Sequence, residues 1–164
     1  EIASCLVGSE MCIRDRITPL HIKVLCEKLK SKYDYVIVDA PAGIDDGMII
    51  ATGGCDMGII VVTPEYASLR NAETVKKTIK AQGIDNICYV VNRIDLRLIE
   101  SGKAPSFDEV TKNIREKIVG IIQEDENIHV STNLGVPIVS MTDTYIAKSF
   151  MAMADRIKKN LEKE

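Results

Sequence analysis

Residues 33–43 have the sequence YDYVIVDAPAG and carry the clearest indication of the fold class. The run from Tyr35 to Val38 is apolar on both faces, and Asp39 closes it. Strands that are apolar on both faces are typical of parallel sheets that helices cover on either side. The turn at residues 41–43 follows the carboxyl end of this strand, where open α/β sheets bind their ligands. We therefore expect an α/β fold with a ligand site beside Asp39.

Three more segments repeat this strand pattern along the chain. Residues 57–62 (MGIIVV), 87–91 (ICYVV) and 119–122 (VGII) are short, apolar and rich in β-branched side chains. Helical patterns lie between the strand patterns, as in a chain built from βαβ units. This alternation predicts a doubly wound, mostly parallel sheet with flanking helices.

The first helix is predicted from its capping signal and its apolar residues. Thr18 followed by Pro19 marks the start of a helix that runs to Lys32. Its apolar stripe is formed by Leu20, Val24 and one residue of the segment from Cys26 to Leu29. A stripe of this kind faces the core of a globular domain.

Three further helices are expected downstream. The segment 68–81 has its apolar residues on one face. Ser106 with Glu109 three residues later forms the capping-box pattern of a helix that runs to about Lys117. A last helix is expected from near Asp143, with apolar residues at helical spacing to the end of the chain.

Residues 1–16 do not follow this alternation. They have mixed charge and no clean period, where a helix or strand would be expected. Residues 5–16 (CLVGSEMCIRDR) resemble translated sequencing-adapter sequence, so we interpret residues 1–16 as a non-native or unstructured leader. The alternative is a native, poorly patterned loop. Residues 17–164 are expected to form one incomplete domain.

Composition narrows the class of protein. The 164 residues are 46% hydrophobic and carry a formal net charge of -3, with no basic stripe that would hold nucleic acid. No run approaches the roughly 18 to 20 apolar residues of a membrane span. The five cysteines form no Cys-x-x-Cys pair, which argues against a disulfide framework and a structural zinc. A cytoplasmic protein that binds no nucleic acid is expected.

Several motifs occur in the order and spacing of one family. They are Asp39-Ala40-Pro41-Ala42-Gly43-Ile44, Gly53-Gly54-Cys55-Asp56, Val62-Thr63-Pro64-Glu65, Leu69-Arg70-Asn71-Ala72-Glu73, Asn92-Arg93-Ile94 and Glu124-Asp125-Glu126-Asn127. Together they resemble the MinD/ParA family of deviant Walker A P-loop ATPases, from switch II onward. The turn Pro41-Ala42-Gly43 resembles the MinD branch, whereas the ParA branch has Pro-Pro after the strand aspartate and the flagellar-number branch usually has Gly-Ala-Gly.

The resemblance implies a nucleotide site at the strand ends. Asp39 would be the switch II aspartate, which acts on Mg²⁺ through a water molecule. Ala42 and Gly43 would lie near the γ-phosphate of ATP. From spacing alone, the favoured interpretation of Asp39 is an aspartate that simply closes a strand.

The other side of this site would hold the adenine base. Asn92, with its neighbour Arg93, would read the base edge, because an amide offers both a donor and an acceptor. Main-chain groups around Glu124 and Asp125 would line the opposite side of the base. Gln123 stands where relatives often have proline, which leaves the path of this loop open.

A partner surface is implied as well. Glu65, Arg70 and Glu73 would lie on the face where ATP-loaded subunits or regulatory proteins bind. Asn71 departs from the aspartate that the family commonly has on this helix. From pattern alone, the charged residues are solvated surface side chains.

The family's glycine loop, Lys-Gly-Gly-x-Gly-Lys-Thr, does not occur in the sequence. Its backbone N–H groups and lysines hold the phosphates. The resemblance therefore implies a partial P-loop NTPase domain at residues 17–164, without the first strand and the phosphate loop. We expect this piece not to hydrolyse ATP by itself.

The intact parent is expected to be an ATPase that uses ATP and Mg²⁺ and helps to select the bacterial division site. It would form a homodimer when ATP is bound and interact with division-inhibitor and regulator proteins of the Min type. Membrane attachment is expected only if an amphipathic helix lies beyond Glu164, because a single apolar residue, Leu161, follows Ile157. The alternatives are a ParA-like or flagellar-number ATPase, or a non-catalytic α/β binding domain.

Overall fold

A computed structural model gives the structure of the protein and describes residues 2–6 and 17–162, with the backbone alone for residues 2–6. Helices alternate with strands, so the predicted α/β class is confirmed. The elements are β1 Ile2–Leu6, α1 Pro19–Lys30, β2 Tyr35–Asp39, α2 Asp46–Thr52, β3 Met57–Val62, α3 Tyr66–Ala81, β4 Asn86–Ile94, α4 Leu96–Glu100, α5 Phe107–Asn113, β5 Lys117–Gln123, α6 Glu126–Leu134, a 3-10 turn at Ile138–Ser140 and α7 Tyr145–Leu161.

The chain divides into two compact units, which are described separately. The first comprises Glu1–Gly58 and Glu73–Asn86, and the second comprises Ile59–Ala72 and Ile87–Glu164. The prediction of one domain over residues 17–164 stays a prediction. No helix among the described residues has the length and hydropathy needed to cross a membrane.

The first unit contains a parallel pair of strands. β1 runs beside β2, with Ile2 opposite Tyr35 and Leu6 opposite Asp39. The interpretation of residues 1–16 as lacking any helix or strand was therefore wrong for Ile2–Leu6, because this short, largely apolar segment pairs along the edge of β2. The rest of that segment, residues 7–16, lies outside the described residues. The non-native origin of the leader stays a prediction.

Helix α1 begins as predicted, but the face that it buries differs from the predicted one. The backbone N–H of Thr18 donates to Nδ1 of His21 at 3.1 Å, in a capping box. The buried residues of the helix are Ile22 and Cys26, whereas Leu20 and Val24 are exposed. The prediction was therefore wrong for Leu20 and Val24, by about half a turn of the helix, whereas Cys26 lies within the segment that was expected to complete the stripe.

The loop after α2 explains the orientation of α1. A Cβ atom on Gly53 would lie 2.6 Å from the backbone oxygen of Pro19, and one on Gly54 would lie 3.1 Å from Sγ of Cys26. These glycines let the loop pack directly on the Cys26 side of the helix. Lys30 Nζ also pairs with a carboxylate oxygen of Asp56 at 2.7 Å, which fixes the last turn of α1 to the same loop.

The second unit is built on a three-stranded sheet in the order β3-β4-β5. β4 lies in the middle, and its residues from Ile87 to Val91 are all buried. β4 and β5 are parallel, with Val91 opposite Ile121. Because β4 is both central and parallel to β5, its carboxyl end lies beside that of β5 and places their loops together.

Helix α7 covers one face of β5. Gly120 lies so close to Met153 that an added Cβ would be 2.5 Å from the Met153 sulfur. Nη1 of Arg156 donates to the backbone oxygen of Val119 at 3.2 Å, and Lys117 Nζ donates to Oδ1 of Asn160 at 2.7 Å. The helix starts at Tyr145 with Thr144 as its N-cap, which agrees with the predicted start near Asp143.

Two predictions about the second unit were wrong. Helix α5 ends at Asn113 rather than near Lys117, because Ile114 adopts an extended conformation and its side chain is buried. The strands were expected to be buried on both faces, but Ile59 and Val61 of β3 and Ile121 of β5 are exposed. Helices α2, α4 and α6 had no counterpart in the sequence interpretation.

Candidate functional site

The loops at the carboxyl ends of β4 and β5 form the candidate site of the second unit. The backbone N–H of Glu124, just after β5, donates to the carbonyl of Ile94, at the end of β4, at 3.0 Å. This bond holds the loop that contains Glu124 and Asp125 beside the Asn92-Arg93 pair. The sequence-predicted base-binding residues of this unit are thus brought together.

Arg93 has an unusual backbone conformation at the centre of this site. Its φ angle is +58°, in the left-handed region that non-glycine residues seldom occupy. The side-chain oxygen of Asn92 accepts a hydrogen bond from the backbone N–H of Arg93 at 3.0 Å, which supports this conformation. Such backbone conformations cost about 1–3 kcal/mol and cluster at functional sites.

The hydrogen bond to Arg93 changes what Asn92 offers to a ligand. The amide was expected to present a donor and an acceptor to a base. Its oxygen already accepts one internal hydrogen bond, so the half-buried side chain presents its Nδ2 group as the principal donor. A ring nitrogen of a purine is the matching acceptor.

The carboxylates around the site form an ion pair or hydrogen bonds with nearby groups. Glu124 pairs with the Arg93 guanidinium at 3.3 Å, in a partly exposed ion pair. Asp125 is the N-cap of α6, where one carboxylate oxygen accepts from the backbone N–H of Asn127 at 2.8 Å and from its side chain at 2.7 Å. The Asp125 side chain is therefore used to start the helix. The role of main-chain groups of this loop in lining a base stays a prediction.

Asp95 is a site residue that the sequence interpretation missed. Its carboxylate accepts hydrogen bonds from the backbone N–H, Nε and Nη2 of Arg97 at 2.9 to 3.1 Å. The side-chain hydrogen bond from Arg97 lowers the pKa of Asp95. Asp95 also caps α4, so one carboxylate fixes the chain direction directly after β4.

Two cavities open on these loops. One, of about 390 Å³, is lined by Pro64, Glu65, Tyr66, Arg93, Asp95, Leu98, Lys103, Ala104, Pro105 and Glu124. The other, of about 710 Å³, is lined by Ile94, Asp95, Leu96, Arg97, Gln123, Glu124, Glu126 and His129. The smaller cavity is thus bordered by three of the residues predicted from sequence, Glu65, Arg93 and Glu124.

Tyr66 is a second missed residue, and a long-range contact positions it. Its hydroxyl donates to a carboxylate oxygen of Glu109 at 2.9 Å, and Glu109 also accepts from the backbone N–H and the hydroxyl of Ser106 at 2.8 Å. One carboxylate therefore joins the start of α3 to the start of α5 at the rim of the smaller cavity. The capping-box pattern predicted Ser106 and Glu109 but gave no signal for Tyr66.

The other residues predicted on helix α3, Arg70 and Glu73, line neither cavity. Arg70 is exposed. Glu73, which belongs to the first unit, pairs with Lys76 at 2.7 Å along the same helix. Their role on a partner face stays a prediction.

In the first unit, Asp39 and the turn after it are open to solvent. Asp39 ends β2, and both its side chain and Ala42 are exposed. Gly43 has a φ angle of +106°, a conformation that a residue with a side chain rarely adopts. The turn therefore depends on glycine at this position, while the Asp39 carboxylate faces water.

The residues of the turn fit a weakly ligated Mg²⁺ ion. Within residues 17–162, no three His, Cys, Asp or Glu side chains are grouped as metal ligands. Mg²⁺ usually keeps several waters and takes only one or two protein carboxylates together with substrate phosphates. A single exposed Asp39 carboxylate suits that kind of site.

Comparisons with known proteins identify relatives of this chain. No family model matches it. It is 36% identical over 126 residues to the putative septum site-determining protein MinD of Guillardia theta, a match that covers 77% of this chain and 47% of that protein. It is 32% identical over 142 residues to the septum site-determining protein MinD of Bacillus subtilis, covering 86% of this chain and 53% of that protein. The chain spans about half the length of these curated relatives.

Solved structures agree with this relationship. The MinD cell division protein of Aquifex aeolicus matches with a TM-score of 0.80 and 31% identity, over 86% of this chain and 61% of that one. The MinC:MinD cell division protein complex of the same organism gives a TM-score of 0.82 and 31% identity, over 88% of this chain and 60% of that one. MinD of Pyrococcus horikoshii complexed with Mg-ADP gives 0.79 at 23% identity, over 93% and 61%, and shows the likeness of fold alone. The chain therefore belongs to the MinD/ParA family of P-loop ATPases, in its MinD branch.

Proposed function

We propose that this chain is the part of a MinD-type ATPase that holds the adenine base and the switch II aspartate. The proposal rests on one observation. The backbone hydrogen bond from Glu124 to Ile94 holds the Glu124-Asp125 loop beside Asn92 and Arg93. A donor amide and the main chain of a second loop then lie on neighbouring strand ends. Open α/β sheets bind their ligands at such strand ends.

Each group has a distinct role in the proposed mechanism. The Nδ2 group of Asn92 donates to a ring nitrogen of the base, and the main chain around Glu124 and Asp125 orients the base. Asp39 would hold Mg²⁺ through a water molecule, and the turn at Ala42 and Gly43 would lie near the γ-phosphate. When bound, the ion would supply positive charge that offsets the negative charge of the phosphates.

The glycine loop of the family does not occur in this sequence, so we propose that this chain alone does not hydrolyse ATP. The intact protein would cycle between an ATP-bound dimer and a monomer and select the division site. Its surface around Glu65, Arg70 and Glu73 would meet the second subunit or a Min-type partner. The relative from Aquifex aeolicus forms a MinC:MinD cell division protein complex, which supports a partner of that type. The protein would be cytoplasmic and bind the inner membrane face only through an additional amphipathic helix.

A chimeric enzyme tests this proposal. The part of Bacillus subtilis MinD that precedes the match is joined before Thr18, and ATP hydrolysis is measured. Asp39→Ala should lower kcat by about 100-fold or more, because positioning of the metal and water is lost. Asn92→Ala should raise KM about 10-fold with little change in kcat, because one hydrogen bond to the base is removed.

Asp108→Ala is the matched control, since Asp108 is an exposed carboxylate on α5 that lines neither cavity. Its kinetic constants should equal those of the parent chimera. A chimera with native-like circular dichroism that does not bind or hydrolyse ATP would refute the enzyme assignment. A nucleotide-independent α/β binding domain would then be the better account.

A further inference from the structure

Two cysteines lie close together in the first unit. Cys26 is a buried residue of α1, and Cys55 is a half-buried residue of the loop between α2 and β3. Both are reduced in the structure. Neither belongs to the candidate nucleotide site, so the function proposed above does not account for their proximity.

Gly54 lets α1 and this loop approach each other closely. A Cβ atom on Gly54 would lie 3.1 Å from both Cβ and Sγ of Cys26 and 2.8 Å from Cα of Lys23. The Cys26 side chain therefore contacts the backbone directly before Cys55. Consecutive Cα atoms are about 3.8 Å apart, and a disulfide joins Cα atoms about 4.4–6.8 Å apart. A shift of a few ångströms in this loop, at most, brings the two cysteines within bonding range.

The Cys26 thiol also affects the ionisation of Cys55. Burial raises the pKa of the Cys55 thiol, and the nearby Cys26 raises it further, because two thiolates repel each other. Sγ of Cys55 donates to the carbonyl of Ala51 at 3.5 Å, and a thiol is a weak donor. Cys55 is therefore close enough to Cys26 to interact with it, and little is lost when its side chain turns towards Cys26.

We propose that Cys26 and Cys55 are a redox-sensitive pair, which a low-molecular-weight disulfide converts into an intramolecular disulfide between α1 and the loop before β3. The Cys55 thiolate attacks the small disulfide, bonds to one of its sulfurs and releases the other. The Cys26 thiolate then attacks the sulfur of Cys55 and releases the second small thiol. Each departing thiolate takes up the proton that the attacking cysteine gave up. Two protein thiols are thus oxidised, and one small disulfide is reduced to two thiols.

The order of these two steps follows from exposure. A small disulfide can reach the half-buried Cys55, whereas Cys26 is 4% exposed and acts as the second, resolving thiol. Because its raised pKa keeps the Cys55 thiol protonated near neutral pH, the first step is slow unless the oxidant is abundant. The disulfide is therefore a reversible response to oxidation and does not rest on the proposed nucleotide site.

The test treats the folded chain with glutathione disulfide and maps the cysteines by tryptic digestion and mass spectrometry. Peptides 24–28 and 33–70 contain Cys26 and Cys55. They should be recovered as a linked pair, in at least about 5-fold excess over any other pair, and dithiothreitol should separate them.

Two variants test the order of the steps. In Cys26→Ser, glutathione should remain attached to Cys55, because the resolving thiol is absent. In Cys55→Ser, Cys26 should carry at least about 10-fold less glutathione than Cys55 carries in the first variant, because the Cys26 thiol is buried. Equal labelling of the two cysteines would overturn the proposed order of attack and, with it, the proposal.

Cys88 is the control within the same chain, since it has no exposed surface and lies in the second unit. It should stay unmodified in the folded chain and react once urea unfolds the protein. The proposal is also overturned if the folded chain forms no linked pair of Cys26 and Cys55, or if the chain in urea links these two cysteines as efficiently as the folded chain does.

Discussion

The Cys88 thiol has no exposed surface and lies in the central strand of the second unit. Burial raises its pKa to about 11, from an ordinary value of 9.0, because the thiolate would lose its hydration. The folded state therefore holds this proton more tightly than the unfolded chain. The stabilisation is complete below pH 9 and is lost as the pH rises towards 11.

This effect can be measured with Cys88→Ala. Between pH 8.5 and 11, the free energy of unfolding should fall by about 2 kcal/mol more in the original chain than in the variant. Urea titrations at several pH values provide the comparison. Parallel pH profiles of the two proteins would show that the thiol does not contribute.

At the scale of single residues, the sequence predicted which side chains lie near the strand ends better than it predicted their hydrogen bonds. Asn92 was expected at the end of a strand and lies two residues before the end of β4, and Asp125 follows β5 by two residues. Their use by the chain itself, in bonds to Arg93 and Asn127, was not foreseen. Such bonds depend on the local backbone path, including the left-handed Arg93, and no pattern of residue types encodes that conformation.

At the scale of single elements, the start of α5 depends on a carboxylate that receives several donors. Glu109 accepts from the backbone N–H of Ser106, from the Ser106 hydroxyl and from the Tyr66 hydroxyl. These hydrogen bonds, led by the one from the Ser106 backbone, lower the pKa of Glu109. Their contribution to stability is present above the ordinary pKa of a glutamate and is lost as the pH falls through the lowered value.

Ser106→Ala tests this capping arrangement. The variant removes the hydroxyl that accepts from the backbone N–H of Glu109, and should lower the free energy of unfolding at neutral pH by about 1 kcal/mol. Ser101→Ala is the comparison, because the Ser101 hydroxyl, at the end of α4, donates to the carbonyl of Leu98 and caps no helix N-terminus. Equal effects of the two substitutions in chemical denaturation would contradict the capping argument.

The start of a helix was easier to predict than its end. Thr18 with Pro19 and Ser106 with Glu109 are local signals, and both helices begin where those signals lie. The end of α5 is set by Ile114, which leaves the helix to become buried. That choice is made by tertiary packing, so the helical pattern alone extended the helix too far.

At the scale of the whole molecule, the second unit depends on close packing of α7 against β5. Gly120→Ala would place a methyl group 2.5 Å from the sulfur and 2.7 Å from Cγ of Met153. Because the added atom overlaps a side chain, the substitution should cost about 1–3 kcal/mol. Chemical denaturation measures the change.

A double-mutant cycle isolates this contact. In a Met153→Ala background, the cost of Gly120→Ala should shrink by about 1 kcal/mol or more, because the overlapping side chain is gone. An unchanged cost in that background would show that the methyl group is resisted by something other than Met153.

The alternation of strands and helices predicted the fold class, but burial at the molecular scale could not be inferred in the same way. The strands have the apolar composition that is typical of sheets with helices on both faces. Four of their side chains are nevertheless exposed, namely Ile37, Ile59, Val61 and Ile121. A hydrophobic pattern records which residues favour burial and does not record which neighbour covers them. The relationship to MinD proteins was nevertheless recoverable, because it depends on short motifs at strand ends rather than on complete burial.

The buried central strand has a further consequence for spectroscopy. The protein contains five tyrosines and no tryptophan, so no indole can accept energy from an excited phenol. Tyr89 lies in β4 with 2% of its surface exposed, whereas Tyr66 and Tyr145 are 56% and 68% exposed. Collisional quenchers such as iodide therefore reach the emission of Tyr66 and Tyr145 and leave that of Tyr89 intact. The emission that remains reports on the buried Tyr89, together with the half-buried Tyr33 and Tyr35 of the first unit.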